Sequence, residues 1–490
     1  MLRPRALALS LMFVFTLLLS AVPIASRAQE ATPMAGALPD GVEVVASGLT
    51  NPRGFTWGAD GELFLALAGT GGPNQVIGED GTAFPFFNGM TSSIVQVEGG
   101  CTVPVAEGIA SFLWTDPGWI WGVMDLAILD GQLYALLGGG GADVGLPENP
   151  NGVYRVNANG TIELIGDLSA FFRENPPAFT PWDYGADGSL FDMEAGTDRL
   201  WISEAVGGRL LTVTPAGEIE LIADLSVAHM VPTGVAVAPE GGAYVNHETV
   251  VPFPDGAAKV IHVAADGTET DHWTGLTAGT DLAMGPDGTL YAAEMATGNL
   301  DEAPYLRPNT GQIVRQTGPA SHEPVVTDID YPVFIGFGPD DALYLTYPAF
   351  GPDAGEGQGA LLRIDLSVGT PISLAGLGEL GPSCMGGPGA AEAIAAPDDA
   401  TPAAEAEADA SSVTIADFAF GPQELQVTAG TTVTWTNEDW APHTATAEDG
   451  SFDSGRINQG ESFEHTFNEP GTFTYLCSFH PGMMGPIVVT

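Results

Sequence analysis

Positive charge is what this chain most lacks. Its 490 residues hold 13 Lys and Arg against 62 Asp and Glu, a formal net charge of −49, and Lys259 is the only lysine. A chain so acidic repels nucleic acid and anionic membrane surfaces, which excludes both as partners, and the same repulsion favours solubility. Long apolar runs are also scarce. The one present, Ala6 to Ala25, follows Arg3 and Arg5 and precedes Ser26-Arg27-Ala28. That order predicts a signal peptide over residues 1–28 and an exported mature chain, secreted, periplasmic or extracellular. An uncleaved anchor is the competing reading, because the run is long enough to span a bilayer. No second such run follows, so no membrane span is expected after cleavage. Cysteine is the third scarcity, with Cys101, Cys384 and Cys477 alone. In an oxidising compartment an odd count implies one pair and one thiol kept for another purpose, and Cys477 is the candidate for the exception.

The length exceeds what one core usually supports, so two or more domains are expected. Laid against itself, the chain repeats. "NPRGFTWGADGELFLA" (from Asn51), "GVMDLAILDGQLYAL" (from Gly122), "SLFDMEAGTDRLWIS" (from Ser189), "PTGVAVAPEGGAYVN" (from Pro232), "GTDLAMGPDGTLYAA" (from Gly279) and "PVFIGFGPDDALYLT" (from Pro332) each read as strand, turn, strand. Second hairpins lie between them, as in "RLLTVTPAGEIELIADLS" from Arg209. Tandem four-stranded units in six copies predict a six-bladed β-propeller over residues 40–385. The repeats resemble the NHL and SMP-30-like propellers, and most closely the ScyD/ScyE family of exported bacterial propellers, through "GLTNPRGFTW", "VPTGVAVAPEGGAYV" and "GPDGTLYAAE". A Cys101–Cys384 disulfide would tie the two ends of such a ring.

From 386 to 411 the composition changes to Ala, Pro and acidic residues without aromatics. Such a stretch cannot bury a core and is expected to be a flexible linker. Period-two alternation returns over 412–490 in "VTIADFAF", "ELQVTAGTTVTWTN", "SFEHTF", "GTFTYLCSF" and "GPIVVT", which predicts a small Greek-key β-sandwich. The fold class expected for the whole chain is therefore all-β.

The last loop, "YLCSFHPGMMG" from Tyr475, sets Cys477, His480 and Met483 three residues apart. A thiolate and two imidazoles with a weak axial thioether form the soft donor set of type 1 copper, and His443 in "WTNEDWAPHTAT" supplies the missing imidazole. Zinc prefers closed tetrahedral sites without thioether, and burial as plain core residues is the remaining alternative. On these residues the domain resembles the cupredoxins of the amicyanin, pseudoazurin and plastocyanin group. The resemblance implies a blue copper site of His443, Cys477, His480 and Met483, with Met484 as an alternative axial ligand and Asn437 tying the His443 loop to the cysteine loop. A redox partner is expected to dock near His480, where the acidic Glu438, Asp439, Glu448 and Asp449 are candidates to steer a basic partner, the competing reading being a merely solvated surface.

In the repeats, Asp125, Asp192 and Asp281 align at one position, where Gly54, Gly234 and Phe334 fill the other copies. Three converging carboxylates suit calcium, as in SMP-30-like enzymes; the competing role is to fix backbone turns. The chain thus reads as an exported copper electron carrier rather than a catalyst, with the propeller as a scaffold for an unknown ligand or partner. The alternative makes the propeller an enzyme, either a lactone hydrolase or a quinone-dependent sugar dehydrogenase. The latter is disfavoured by the few basic residues available, Arg53 being the only one in a repeat opening.

Overall fold

The computed structural model describes residues 38–375, 377 and 380, apart from 78–82, 116–117, 182–183, 229, 251, 301–304 and 349–356. It also describes 412–490, apart from 417–418, 423–424, 438–442, 448–450, 453, 455–456, 458–461, 469 and 478–479. The signal peptide, the linker and Cys384 lie outside these residues. So do the four acidic residues expected near the docking face.

Each repeat becomes one antiparallel sheet. The second sheet shows the plan: Val123–Leu129, Gln132–Leu137, Gly152–Val156 and Ile162–Asp167 pair in chain order. Leu190–Asp224 and Val231–Leu276 repeat it with four strands each. The first sheet, from Pro52–Trp57 onward, and the fifth, from Gly279–Met284 onward, carry extra edge strands. The inner strands Pro52–Trp57, Val123–Leu129, Leu190–Ala195, Val231–Val237, Gly279–Met284 and Ile335–Phe337 touch one another in that order, and Pro52–Trp57 returns to the sixth sheet through Leu343–Tyr347. This arrangement fits the expected six-bladed propeller.

The sixth sheet holds a feature that the repeats do not reveal. Its outer strand is the N-terminal segment Val42–Leu49, antiparallel to Gly359–Ile364. Backbone pairing between the two ends of the ring therefore closes it, and the apolar faces of Val42, Leu362 and Ile364 are buried together at that seam. Cys101 is disulfide-bonded, whereas Cys477 is buried and outside any disulfide.

Two sheets make the C-terminal sandwich. One orders Ala419–Gly421, Ser412–Ala416, Thr431–Asn437 and Ser462–Phe467; the other orders Leu425–Val427, His480–Val489, Gly471–Cys477 and Thr446–Ala447. Parallel pairs between Ser412–Ala416 and Thr431–Asn437, and between Leu425–Val427 and His480–Val489, mark the crossovers of a Greek key. Alternation puts Val433 and Trp435 inward, where Trp435 is packed among Phe452, Phe463, Phe467 and Tyr475. The His465 ring, half-buried as its alternation implies, stacks on Phe452 at 4.7 Å. Strand is the dominant structure among the described residues, with Leu168–Glu174 as their one α-helix, as the alternating patterns require.

Candidate metal centre

Cys477 is the last residue of Gly471–Cys477, and in the hairpin that follows its register partner is His480. The strand pattern points Tyr475 and Cys477 to the same inner side, and both are buried. On the facing segment, His443 forms a two-way backbone bridge with Ile457: its N–H donates to the Ile457 carbonyl at 3.0 Å, and its carbonyl accepts the Ile457 N–H at 2.8 Å. The buried Asn437 side chain donates from Nδ2 to that same Ile457 carbonyl at 3.0 Å. One carbonyl thus joins the end of Thr431–Asn437 to the His443 segment.

The next residue closes the site. The Thr444 N–H donates to Cys477 Sγ at 3.3 Å, so the sulfur lies one residue away from His443, and His443, Thr444, Cys477 and Asn437 are all buried. These are donor types suited to a soft metal: a thiol outside any disulfide, a buried histidine one residue before the amide that reaches the sulfur, and that backbone amide, which orients the sulfur. The residues present fit copper. The side chains of His480, Met483 and Met484 lie outside the described part of the structure. The tie through Ile457 and the amide of Thr444 had no signature in the sequence, because a backbone group carries no residue code.

Comparison with known proteins decides the family. The model for copper binding proteins of the plastocyanin/azurin family matches residues 407–490. Amicyanin-alpha from Methylorubrum extorquens is 34% identical over 90 residues, 17% of this chain and 76% of that protein. The chain belongs, through its C-terminal domain, to the plastocyanin/azurin family. Halocyanin from Natronomonas pharaonis is 39% identical over 79 residues, 15% of this chain and 48% of its own length. The solved structure of a purple cupredoxin from Nitrosopumilus maritimus is 35% identical, covering 16% of this chain and 98% of that one with a TM-score of 0.16. The cupredoxin domain is a copper-binding, electron-transfer domain, and the family model lies wholly C-terminal to the ring of sheets. No helix among the described residues is long and apolar enough to cross a membrane.

The calcium expectation in the ring is not supported. Asp125, Asp192 and Asp281 are buried and close enough to perturb one another, yet no group of three His, Cys, Asp or Glu among the described residues is placed to hold a metal ion. Their oxygens are committed elsewhere. Asp125 Oδ2 accepts the Met193 N–H at 3.0 Å, Asp192 Oδ2 the Val235 N–H at 2.6 Å, and Asp281 Oδ2 the Ile335 N–H at 2.7 Å. Each bond runs from one sheet to the inner strand of the next. The inner strands are bulged at these positions, with register shifts at Val123/Asp125, Leu190/Met193, Pro232/Val235 and Gly279/Asp281. A bulge withdraws N–H groups from the ladder, and a buried donor needs another acceptor. The carboxyls supply it, so they clamp sheet to sheet. Burial first, and then the neighbouring Asp192, push Asp125 and Asp281 well above the ordinary carboxylate range.

Proposed function

We propose that this protein is an exported electron carrier in which His443, Cys477, His480 and Met483 hold one type 1 copper ion. The ring, read as a six-bladed propeller similar to the ScyD/ScyE family, is then a binding or docking scaffold on a flexible tether. The observation that supports the metal site best is the Thr444 N–H on Cys477 Sγ, one residue from buried His443.

When bound, the metal supplies a one-electron couple between its cuprous and cupric states. The remaining work belongs to the chain. The Thr444 amide fixes the sulfur lone pairs and draws density from the thiolate, which tunes the reduction potential. Asn437, through the Ile457 carbonyl, holds the His443 backbone in register. Packing of His443 and Cys477 within the sandwich excludes water, so little solvent has to reorganise when charge changes. His480, at the start of the last strand, is the residue we assign to the docking face, where a small interface suits brief contact with a redox partner.

The test is the visible absorption spectrum of the purified full-length protein loaded with Cu(II). An intense charge-transfer band that disappears in Cys477→Ser supports a thiolate site; a colourless protein under copper-replete, oxidising conditions rejects the reading.

A further inference from the structure

The inner strands surround a cavity of about 340 Å³. Each of the six repeats contributes the residue just before its aligned position: Arg53, Met124, Phe191, Thr233, Thr280 and Val333. The volume is that of a small-molecule site. Its walls are mainly apolar, with the aromatic rings of Trp119, Trp121 and Phe253 adding to Phe191. Two ionisable side chains interrupt them.

The first is Arg53, the only basic residue in the lining. Its Nη1 and Nη2 donate to the carbonyls of Pro52 and Ile120 at 3.0 and 2.8 Å, which fixes the buried guanidinium in the wall. The second is Glu248, and the repeats themselves provide its control. Glu204, Glu248 and Glu294 occupy one repeat position, each opposite the first residue of its sheet's inner strand. Two of them serve the fold. Glu204 Oε1 accepts the Ser189 and Gly207 N–H groups, both at 2.9 Å, and Oε2 pairs with Arg209 at 3.0 Å. Glu294 accepts the Thr277 N–H at 2.5 Å and Gln312 Nε2 at 2.6 Å. Glu248 Oε1, in contrast, is buried with no hydrogen-bond partner, as is the neighbouring Thr249 Oγ1, and both residues line the cavity. Buried polar atoms left open in a cavity wall point to a ligand that completes them. Glu248 is on the fourth sheet and Arg53 on the first, three sheets apart in either direction around six.

We infer that the cavity binds an aromatic carboxylate bearing a hydroxyl at its far end, with the carboxylate on Arg53, the ring among the aromatic walls, and the hydroxyl on Glu248 and Thr249. The long-range field of a chain with net charge −49 opposes multiply charged anions, so the ligand carries one negative charge. Burial pushes the Glu248 carboxyl up to about 8, so at neutral pH it donates a hydrogen bond instead of repelling the anion. The inference rests on the ring being a binding unit and is independent of the metal site.

Titration calorimetry on copper-free full-length protein tests it with three probes: 4-hydroxycinnamate, its neutral amide, and cinnamate. The expected order is the hydroxy acid first, with the amide and cinnamate each weaker by ~10-fold or more, as the loss of a charge-assisted or buried hydrogen bond predicts. Arg53→Met should abolish the preference for acid over amide. Because Arg53 also holds two carbonyls, Val250→Trp at the exposed lip of the cavity provides a second variant, which should weaken binding with an unchanged far-ultraviolet spectrum. Failure of the hydroxy acid to bind, equal affinity for acid and amide, or unaltered binding in Val250→Trp would overturn the inference.

Discussion

Asp281→Asn tests whether the carboxyls of the ring are clamps or metal ligands. Asp281 uses Oδ2 for the Ile335 N–H and Oδ1 for the Leu282 N–H, both at 2.7 Å. Asparagine keeps the shape but exchanges one acceptor oxygen for an amide donor, so one of those N–H groups loses its partner. An unsatisfied buried donor costs about 1–3 kcal/mol, which lowers the melting temperature of the ring by roughly 2–10 °C. The difference should depend on pH. The buried carboxyls have folded-state pKa values above their unfolded ones, so their contribution is complete below the ordinary carboxylate range and is lost as pH rises through the folded values. Asp281 is held well above its ordinary value of 3.8, first by burial and then by the neighbouring Asp192, so its share of the loss begins near that value and continues upward. Wild-type stability therefore falls across this window, and Asp281→Asn, which has one carboxyl fewer to ionise, falls less. Differential scanning fluorimetry on tryptophan emission across the window measures both curves, with and without added calcium. A gap that widens with pH, or a melting temperature raised by calcium, would refute the clamp.

Beyond the loss of the charge-transfer band in Cys477→Ser, two further outcomes are expected. Asn437→Ala removes the donor to the Ile457 carbonyl and should lower the thermal midpoint of the copper-loaded domain by about 1–3 kcal/mol equivalent, read from bleaching of the visible band on heating. Gly54→Ala places a Cβ onto Asp125 Oδ1, so it should destabilise the ring by about 1–3 kcal/mol in a denaturant titration, whereas alanine at Gly61, which has open space but a left-handed φ of 86°, should cost only about 1 kcal/mol.

The sandwich core was legible because alternation is a local property: once Val433 and Trp435 face inward, Tyr475 and Cys477 on the neighbouring sheet must do so too. Six sheets were legible for the same reason, since each hairpin carries its own turn rich in Gly, Asp or Pro. Two of the proposed metal ligands, Cys477 and His480, could be named from sequence because they share one short loop. Ring closure by Val42–Leu49 was not, as that strand pairs with a segment more than 300 residues away and lacks the repeat's turn.

By itself, then, the sequence determined the all-β class, the two regions of alternation and their joining stretch, the net charge, and the chemical types of the donors near the C-terminus. Those properties depend on side-chain identity and on spacings of a few residues. Only the tertiary structure decided what the aligned carboxyls do, since Asp125, Asp192 and Asp281 acquire their role from N–H groups 43 to 68 residues away that bulges release from the ladder. It likewise separated Glu248 from its equivalents Glu204 and Glu294. Nothing in the three segments "WISE", "VNHE" and "YAAE" says which carboxyl will find a partner, because hydrogen bonding is settled by what the fold brings within 3 Å.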